Sequence, residues 1–228
     1  IPFYGELGSI NPVVALPAAL QARGGELATL LAGSIVQGCG QFCTNPGLIV
    51  LIDGAEADAF VAQLATALAA QTPHAMLTSG MRRAFDAGVA RFLEHGAQAL
   101  VQQPGSAQAP GPQLLQVSGA QFLQQSALHD EVFGPSSLVV RAATQSEVLA
   151  VLAAVGGSLT VTLWGAETES EDTRALVRGA MAIAGRVLFA GVPTGVAVTA
   201  AQQHGGPWPS STTPMTTSVG DAALERFL

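Results

Sequence analysis

Four short runs of aliphatic and β-branched residues place the strongest constraint on the fold: GLIVLID (47–53), SSLVVRAA (136–143), SLTVTLWG (158–165) and RVLFAG (186–191). They are too short for buried helices and too uniformly apolar for strands with one wet face. They therefore predict strands, with 47–53 a fully buried one. Between and around them lie stretches at helical spacing: 25–41, EADAFVAQLATALAAQ (56–71), MRRAFDAGVARFLEHG (81–96), SEVLAVLAAV (146–155) and DTRALVRGAMAIA (172–184). Gly96 suits a C-cap. Residues 12–22 read as a strand running into a short helix, and 97–103 and 114–119 as strands flanking a Pro/Gly turn region at 104–112. This alternation predicts an α/β fold, a mostly parallel open sheet with helices on both faces. From residue 193 the chain turns to loop chemistry without periodicity.

The 228 residues fit one large domain. Only 11% are charged and the mean hydropathy is +0.40, against a charged share of about 25% in ordinary globular domains. Either the core is very large or part of the surface is covered by further protein. A net charge of −7 argues against nucleic acid as partner. No apolar run approaches the roughly 18 residues of a membrane span, and the start, IPFYGELG, lacks the features of a secretory leader. The two cysteines, Cys39 and Cys43, cannot make a disulfide framework, so a reducing cytoplasm is the expected location. All nine basic residues are arginines. Without a lysine, Schiff-base chemistry and a phosphate-binding P-loop are both excluded.

Three places can carry chemistry. Cys43, in GQFCTNPG, follows a helical stretch and precedes a turn and a buried strand, so it sits on a rigid edge. It is either a nucleophile whose own N–H helps hold an oxyanion or a small buried hydrophobe. For Cys39, inside the helical run, packing is the simpler reading. No metal site is expected, because two cysteines are too few for zinc and the four histidines show no ligand spacing. Glu6, in FYGELGSINP, is a carboxylate between glycines that could act as a base toward water. In HDEVFGP, Glu131 and Phe133 are two apart and project to one side of an extended segment.

Taken in order, an ELG segment, a cysteine in a GQxC context and E-x-F-G-P resemble the aldehyde dehydrogenase superfamily. The spacing agrees, with Cys43 lying 37 residues after Glu6 and Glu131 a further 88 on. RVLFAGVPTGVAV (186–198) resembles the late segment that enters the family's substrate tunnel. Within the superfamily, ELGSINPVVALP, CTNPG and QHGGPWPSSTTPMTTSVG resemble the α-ketoglutaric semialdehyde (2,5-dioxovalerate) dehydrogenases.

The resemblance implies an enzyme that oxidises a small-molecule aldehyde with NAD or NADP. Cys43 would be the nucleophile and Glu6 the base that activates water. Glu131 and Phe133, with Leu7 and Gly8, would face the nicotinamide end of the cofactor. Phe42, Thr44, Val192, Pro193 and Thr194 would line the substrate pocket. A substrate carboxylate would call for an arginine. Residues 1–228 would form the thiol-bearing catalytic domain, expected to pack against its own cofactor-binding domain upstream and to form homo-oligomers. Without that domain no turnover is expected. One departure is that the commoner E-L-G-G-K motif reads Glu6-Leu7-Gly8-Ser9-Ile10, so its second glycine and its lysine are replaced. Two rival readings remain: a cysteine hydrolase using His74, His95, His129 or His204 as base, and a module that keeps the fold without the chemistry.

Overall fold

A computed structural model describes residues 1–195 and 197–228; Val196, inside the expected tunnel segment, lies outside the described residues. Seven strands, β1 (Val13–Ala15), β2 (Leu48–Ile52), β3 (Gln98–Gln102), β4 (Gln113–Ser118), β5 (Ser136–Ala142), β6 (Ser158–Trp164) and β7 (Ala184–Leu188), form one sheet in the order β3-β4-β5-β2-β1-β6-β7. Every neighbouring pair is parallel except β3 with β4. The helices are α1 (Pro17–Val36), α2 (Ala55–Ala69), α3 (Ser79–Glu94), α4 (Gly119–Gln124), α5 (Gln145–Val155) and α6 (Glu171–Ile183).

The central strands β1 and β2 are apolar throughout because each face meets its own core. Along β2, Ile49 and Leu51 join Leu27, Leu31 and Ile35 of α1 and Phe60 and Leu64 of α2. Leu48 and Val50 face the other way, toward Phe85 and Phe92 of α3, Val148 and Leu152 of α5 and Leu176 of α6. Strand side chains alternate between faces, so a run buried on both sides is apolar except where a small hydroxyl side chain is accommodated, as at Thr160 of β6, which donates to Asn11.

The expected α/β architecture is therefore present, with differences at its boundaries. The expected short helix and the one beginning at 25 form two pieces of one element, α1, joined at a kink at Arg23. Pro17 opens it where a missing N–H costs nothing. Arg23, just before the Gly24-Gly25 pair, has a non-helical φ of −140°. The helix stops at Val36, because Gly38, Cys39 and Gly40 are all left-handed, with φ of 56°, 61° and 65°. Cys39 thus lies in a tight turn beyond the helix and not inside it. β7 starts at Ala184, directly after α6, so residues 189–191 lie beyond the strand expected to include them. α4 was not anticipated; Ser118 caps it by accepting from the Gln121 N–H. Among the described residues, no helix is long and apolar enough to cross a membrane.

Gly40 fixes the end of this turn. A Cβ there would come within 2.1 Å of the Gly134 carbonyl oxygen, so a glycine is needed for conformation and for the close approach of two segments. Gly40→Ala should lose about 1–3 kcal/mol or more of unfolding free energy in urea titration. Gly33→Ala, in α1 with open space around it, should gain roughly 0.5–1 kcal/mol. Equal effects at the two positions would refute the steric account of Gly40.

Candidate functional site

The loop after the left-handed turn delivers Cys43 to the edge formed by the C-terminal tail. Asn11 clamps it there. This side chain is fully buried and its residue adopts φ 53°. Its Nδ2 donates to the carbonyls of Cys43 (2.9 Å), Asn45 (3.0 Å) and Ser9 (3.1 Å). Its Oδ1 accepts from the Ser9 hydroxyl (2.7 Å) and the Thr160 hydroxyl (3.1 Å). The thiol-bearing loop, the Glu6 segment and β6 are thus tied to one carboxamide.

Glu6 is held from the other side. Its segment pairs with the tail through an antiparallel bridge to Ser211, with the Leu7 N–H donating to the Ser210 carbonyl at 2.9 Å. The tail is seated on the sheet by close backbone contacts: a Cβ on Gly206 would meet the Ser158 carbonyl oxygen at 2.3 Å. His204 is fixed as its N–H donates to the Thr217 hydroxyl (2.8 Å) and its carbonyl accepts from the Ser218 N–H (2.9 Å).

These constraints converge on three side chains. His204 Nε2 lies 3.1 Å from Cys43 Sγ and 3.5 Å from Glu6 Oε2. The imidazole is 3% exposed, whereas the Glu6 side chain is 26% exposed and Cys43 is half-buried. The Ser218 hydroxyl donates a short hydrogen bond to Glu6 Oε2. Hydrogen bonds to Cys43 and then Glu6 push His204 up to about 9 against the effect of burial. Burial alone would raise Glu6, but hydrogen bonds from His204 and Ser218, with the histidine's charge, leave it below the usual carboxylate value. One nitrogen therefore faces both a thiol and a carboxylate. A thiol beside an imidazole can pass its proton there and act as a nucleophile.

The other histidines are elsewhere: Cys39 donates to the His74 carbonyl (3.0 Å), His95 Nδ1 meets the Arg91 carbonyl, and His129 Nε2 meets the Phe122 carbonyl. Burial pushes the Cys39 thiol up, in keeping with a packing role. Nothing in the sequence spacing marks His204, which is 161 residues from Cys43 in a tail without periodicity. Only the HGGP glycines hint at a close backbone approach.

Glu131 is mostly enclosed, and burial pushes its carboxyl up to about 7, opposed by a hydrogen bond from the Ser9 backbone. A Cβ on Gly8 would sit 3.0 Å from its Oε2, so Gly8 and Glu131 adjoin, with Leu7 exposed beside them. Phe133 is half-buried, and Asn45 donates to the following Gly134 carbonyl at 3.3 Å. Phe42 is 36% exposed. Thr44, Pro193 and Thr194 are buried, Val192 packs against the α1–α2 core, and the Thr194 hydroxyl is 2.7 Å from Ser34. Arg186, beside Thr160 in the β6–β7 register, is half-buried, with Nε and Nη2 unpartnered. Burial lowers its pKa while the charge of Cys43 raises it. Two roomy clefts, about 540 and 560 Å³, lie away from Cys43: one beside α6 and Phe189, one between α1 and α2.

No protein-family model matches the chain. It is 44% identical over its whole length to α-ketoglutaric semialdehyde dehydrogenase 2 of Azospirillum brasilense and 38% identical to the α-ketoglutaric semialdehyde dehydrogenase of Acinetobacter baylyi, covering 44% of each. The chain thus spans a little under half the length of the curated relatives it matches. Its fold is that of the NAD-dependent aldehyde dehydrogenase from Sinorhizobium meliloti, with a TM-score of 0.72 at 19% identity over 97% of this chain and 43% of that one.

A folded-state value near 9 lies above the roughly 6.5 of a free histidine. The stability contributed by protonated His204 is therefore complete below about pH 6.5 and is lost as pH rises to about 9. Urea midpoints should fall across that window, and His204→Gln should flatten the fall. An unchanged pH slope in the variant would show that the imidazole is not charged beside Cys43.

Proposed function

We propose that this chain is the thiol-bearing catalytic domain of a nicotinamide-dependent aldehyde dehydrogenase that oxidises a short semialdehyde, with α-ketoglutaric semialdehyde (2,5-dioxovalerate) as the preferred substrate. The observation that carries the reading is the convergence of Cys43, His204 and Glu6. The whole-length similarity to two semialdehyde dehydrogenases supports the choice of substrate. A carboxylate at the far end of the substrate would suit Arg186, a cation with unpartnered nitrogens that senses the charge of Cys43.

In this reading Cys43 passes its proton to His204, and the sulfur forms a bond to the aldehyde carbon, giving an oxyanion. A bound nicotinamide cofactor would supply the acceptor for the hydride that leaves this carbon, and Cys43 would then carry a thioester. Glu6 takes a proton from water, the hydroxyl adds to the thioester carbon, and the C–S bond breaks to release the acid and restore the sulfur. Glu131 and Phe133 are the residues of this chain that would hold the cofactor. The fit is chemical: a buried carboxyl without a cationic partner suits hydroxyl donors such as those of a ribose. The remaining cofactor site would belong to a companion domain, and exposed Phe3, Leu224 and Phe227 near the Tyr4–Phe227 ring contact offer apolar surface for such packing.

The same Cys43–His204 contact also supports a second reading, a cysteine hydrolase with His204 as base. Glu6 separates the two. In the full protein carrying this chain, Cys43→Ser should abolish NAD(P)H formation from the semialdehyde. Glu6→Gln should slow turnover by about 10²–10⁴-fold and leave an acyl-enzyme visible by mass spectrometry. Thioester hydrolysis that survives Glu6→Gln, fails in His204→Gln and accompanies no NAD(P)H formation would favour the hydrolase.

A further inference from the structure

The three converging side chains offer three different donor atoms: a sulfur, an imidazole nitrogen and a carboxylate oxygen, all within 4.8 Å of one another. In a tetrahedral zinc site, with bonds of about 2.0–2.3 Å, neighbouring ligand atoms lie about 3.4–3.6 Å apart. The nitrogen's separations from its two neighbours, 3.1 Å to Cys43 Sγ and 3.5 Å to Glu6 Oε2, are within about half an ångström of that spacing, and the sulfur and carboxylate oxygen, no more than 4.8 Å apart, would close by at most about 1.3 Å around an ion. The ligands also start out fixed. Asn11 holds the Cys43 carbonyl, Thr217 and Ser218 hold the His204 backbone, and the Ser218 hydroxyl donates to the Glu6 carboxylate. An outer hydrogen bond of that last kind orients carboxylate ligands in metal centres. Cys43 and Glu6 are only partly buried, which leaves an entry path.

We propose that Cys43 Sγ, His204 Nε2 and Glu6 Oε2 together bind one thiophilic divalent cation, best matched by Zn²⁺, and that the bound ion reversibly silences the thiol. On binding, the single proton shared by Cys43 and His204 leaves to solvent. The sulfur and nitrogen lone pairs then become ligands, Glu6 supplies the third, and water fills the fourth position. Such an ion consumes both the nucleophile and the base of the proposed reaction, so binding and turnover exclude each other. The inhibition rests on the dehydrogenase reading, whereas the binding rests on the geometry alone.

The two are tested separately. Co²⁺ added to the protein carrying this chain should give a stoichiometric sulfur-to-cobalt charge-transfer band and intense tetrahedral d–d bands, displaced by Zn²⁺ and removed by EDTA. Cys43→Ser should lose the charge-transfer band. His204→Gln and Glu6→Gln should each weaken Co²⁺ binding by more than about tenfold. The partly exposed Glu6 keeps the test sound should the His204 variant fold poorly, and Cys39→Ser should leave the spectrum intact. In turnover assays Zn²⁺ should inhibit, and EDTA should restore the rate. Absence of the band, or its survival with unchanged affinity in both the His204 and Glu6 variants, overturns the site. Bands with the expected losses, in a protein that oxidises no aldehyde, would sustain the metal site and defeat the dehydrogenase reading.

Discussion

The carboxamide of Asn11 is the interaction on which the candidate site depends. It is buried on a left-handed backbone and bonds the Cys43 loop, the Ser9 segment that follows Glu6, and β6. Of these three pieces, only β6 is held by a regular ladder at this point; the Cys43 loop and the Ser9 segment are not. A carboxamide answers both needs, because it donates to carbonyls on one side and accepts from hydroxyls on the other. An isosteric carboxylate would lose the donors and face carbonyl oxygens, and an apolar side chain would leave the Cys43 carbonyl without this partner at about 1–3 kcal/mol, while the Asn45 carbonyl would keep only the Gly47 N–H. The sheet provides a platform, and Asn11 converts it into a site with one defined position for the thiol.

Much of the fold was legible because it rests on local pattern. The β-branched runs at 47–53 and 158–165 became central strands, and the helical spacing at 56–71 and 81–96 became α2 and α3. The short helix and the one expected from residue 25 are present as two pieces joined at a kink at Arg23, and Leu20, Leu27 and Leu31 bury both pieces against the sheet. The errors came where backbone conformation overrode a local signal. The helix ends at three consecutive left-handed residues, one of them Cys39, which periodicity cannot announce.

The candidate site divides in the same way. Glu6, Cys43, Glu131 and Phe133 sit in short motifs whose spacing along the chain can be read. His204 sits in a tail with no period, and it reaches Cys43 because Gly206 lets the tail lie directly against the backbone of β6 at Ser158 and Gly185 of β7 lets it approach at Gly205. A contact made through close backbone packing leaves no regular trace in the sequence except the glycines that permit it. The role of Asn11 was equally hidden, since a buried amide and an exposed loop amide look alike in sequence.

The shared nitrogen of His204 also orders the proposed reaction in time. While the imidazole is charged, it stabilises a thiolate beside it, but it also holds the Glu6 carboxylate below its usual value and makes it a poorer base. The two carboxylate roles, partner to a cation and acceptor of a proton from water, therefore cannot peak together. Once the sulfur is acylated it no longer carries charge, and the strongest hydrogen bond that holds the proton on His204 is lost. With that bond gone only Glu6 still holds the imidazolium, so in the proposed reaction the hold on the shared proton weakens at the stage when water must be activated. A single nitrogen placed between thiol and carboxylate thus couples the state of the sulfur to the strength of the base.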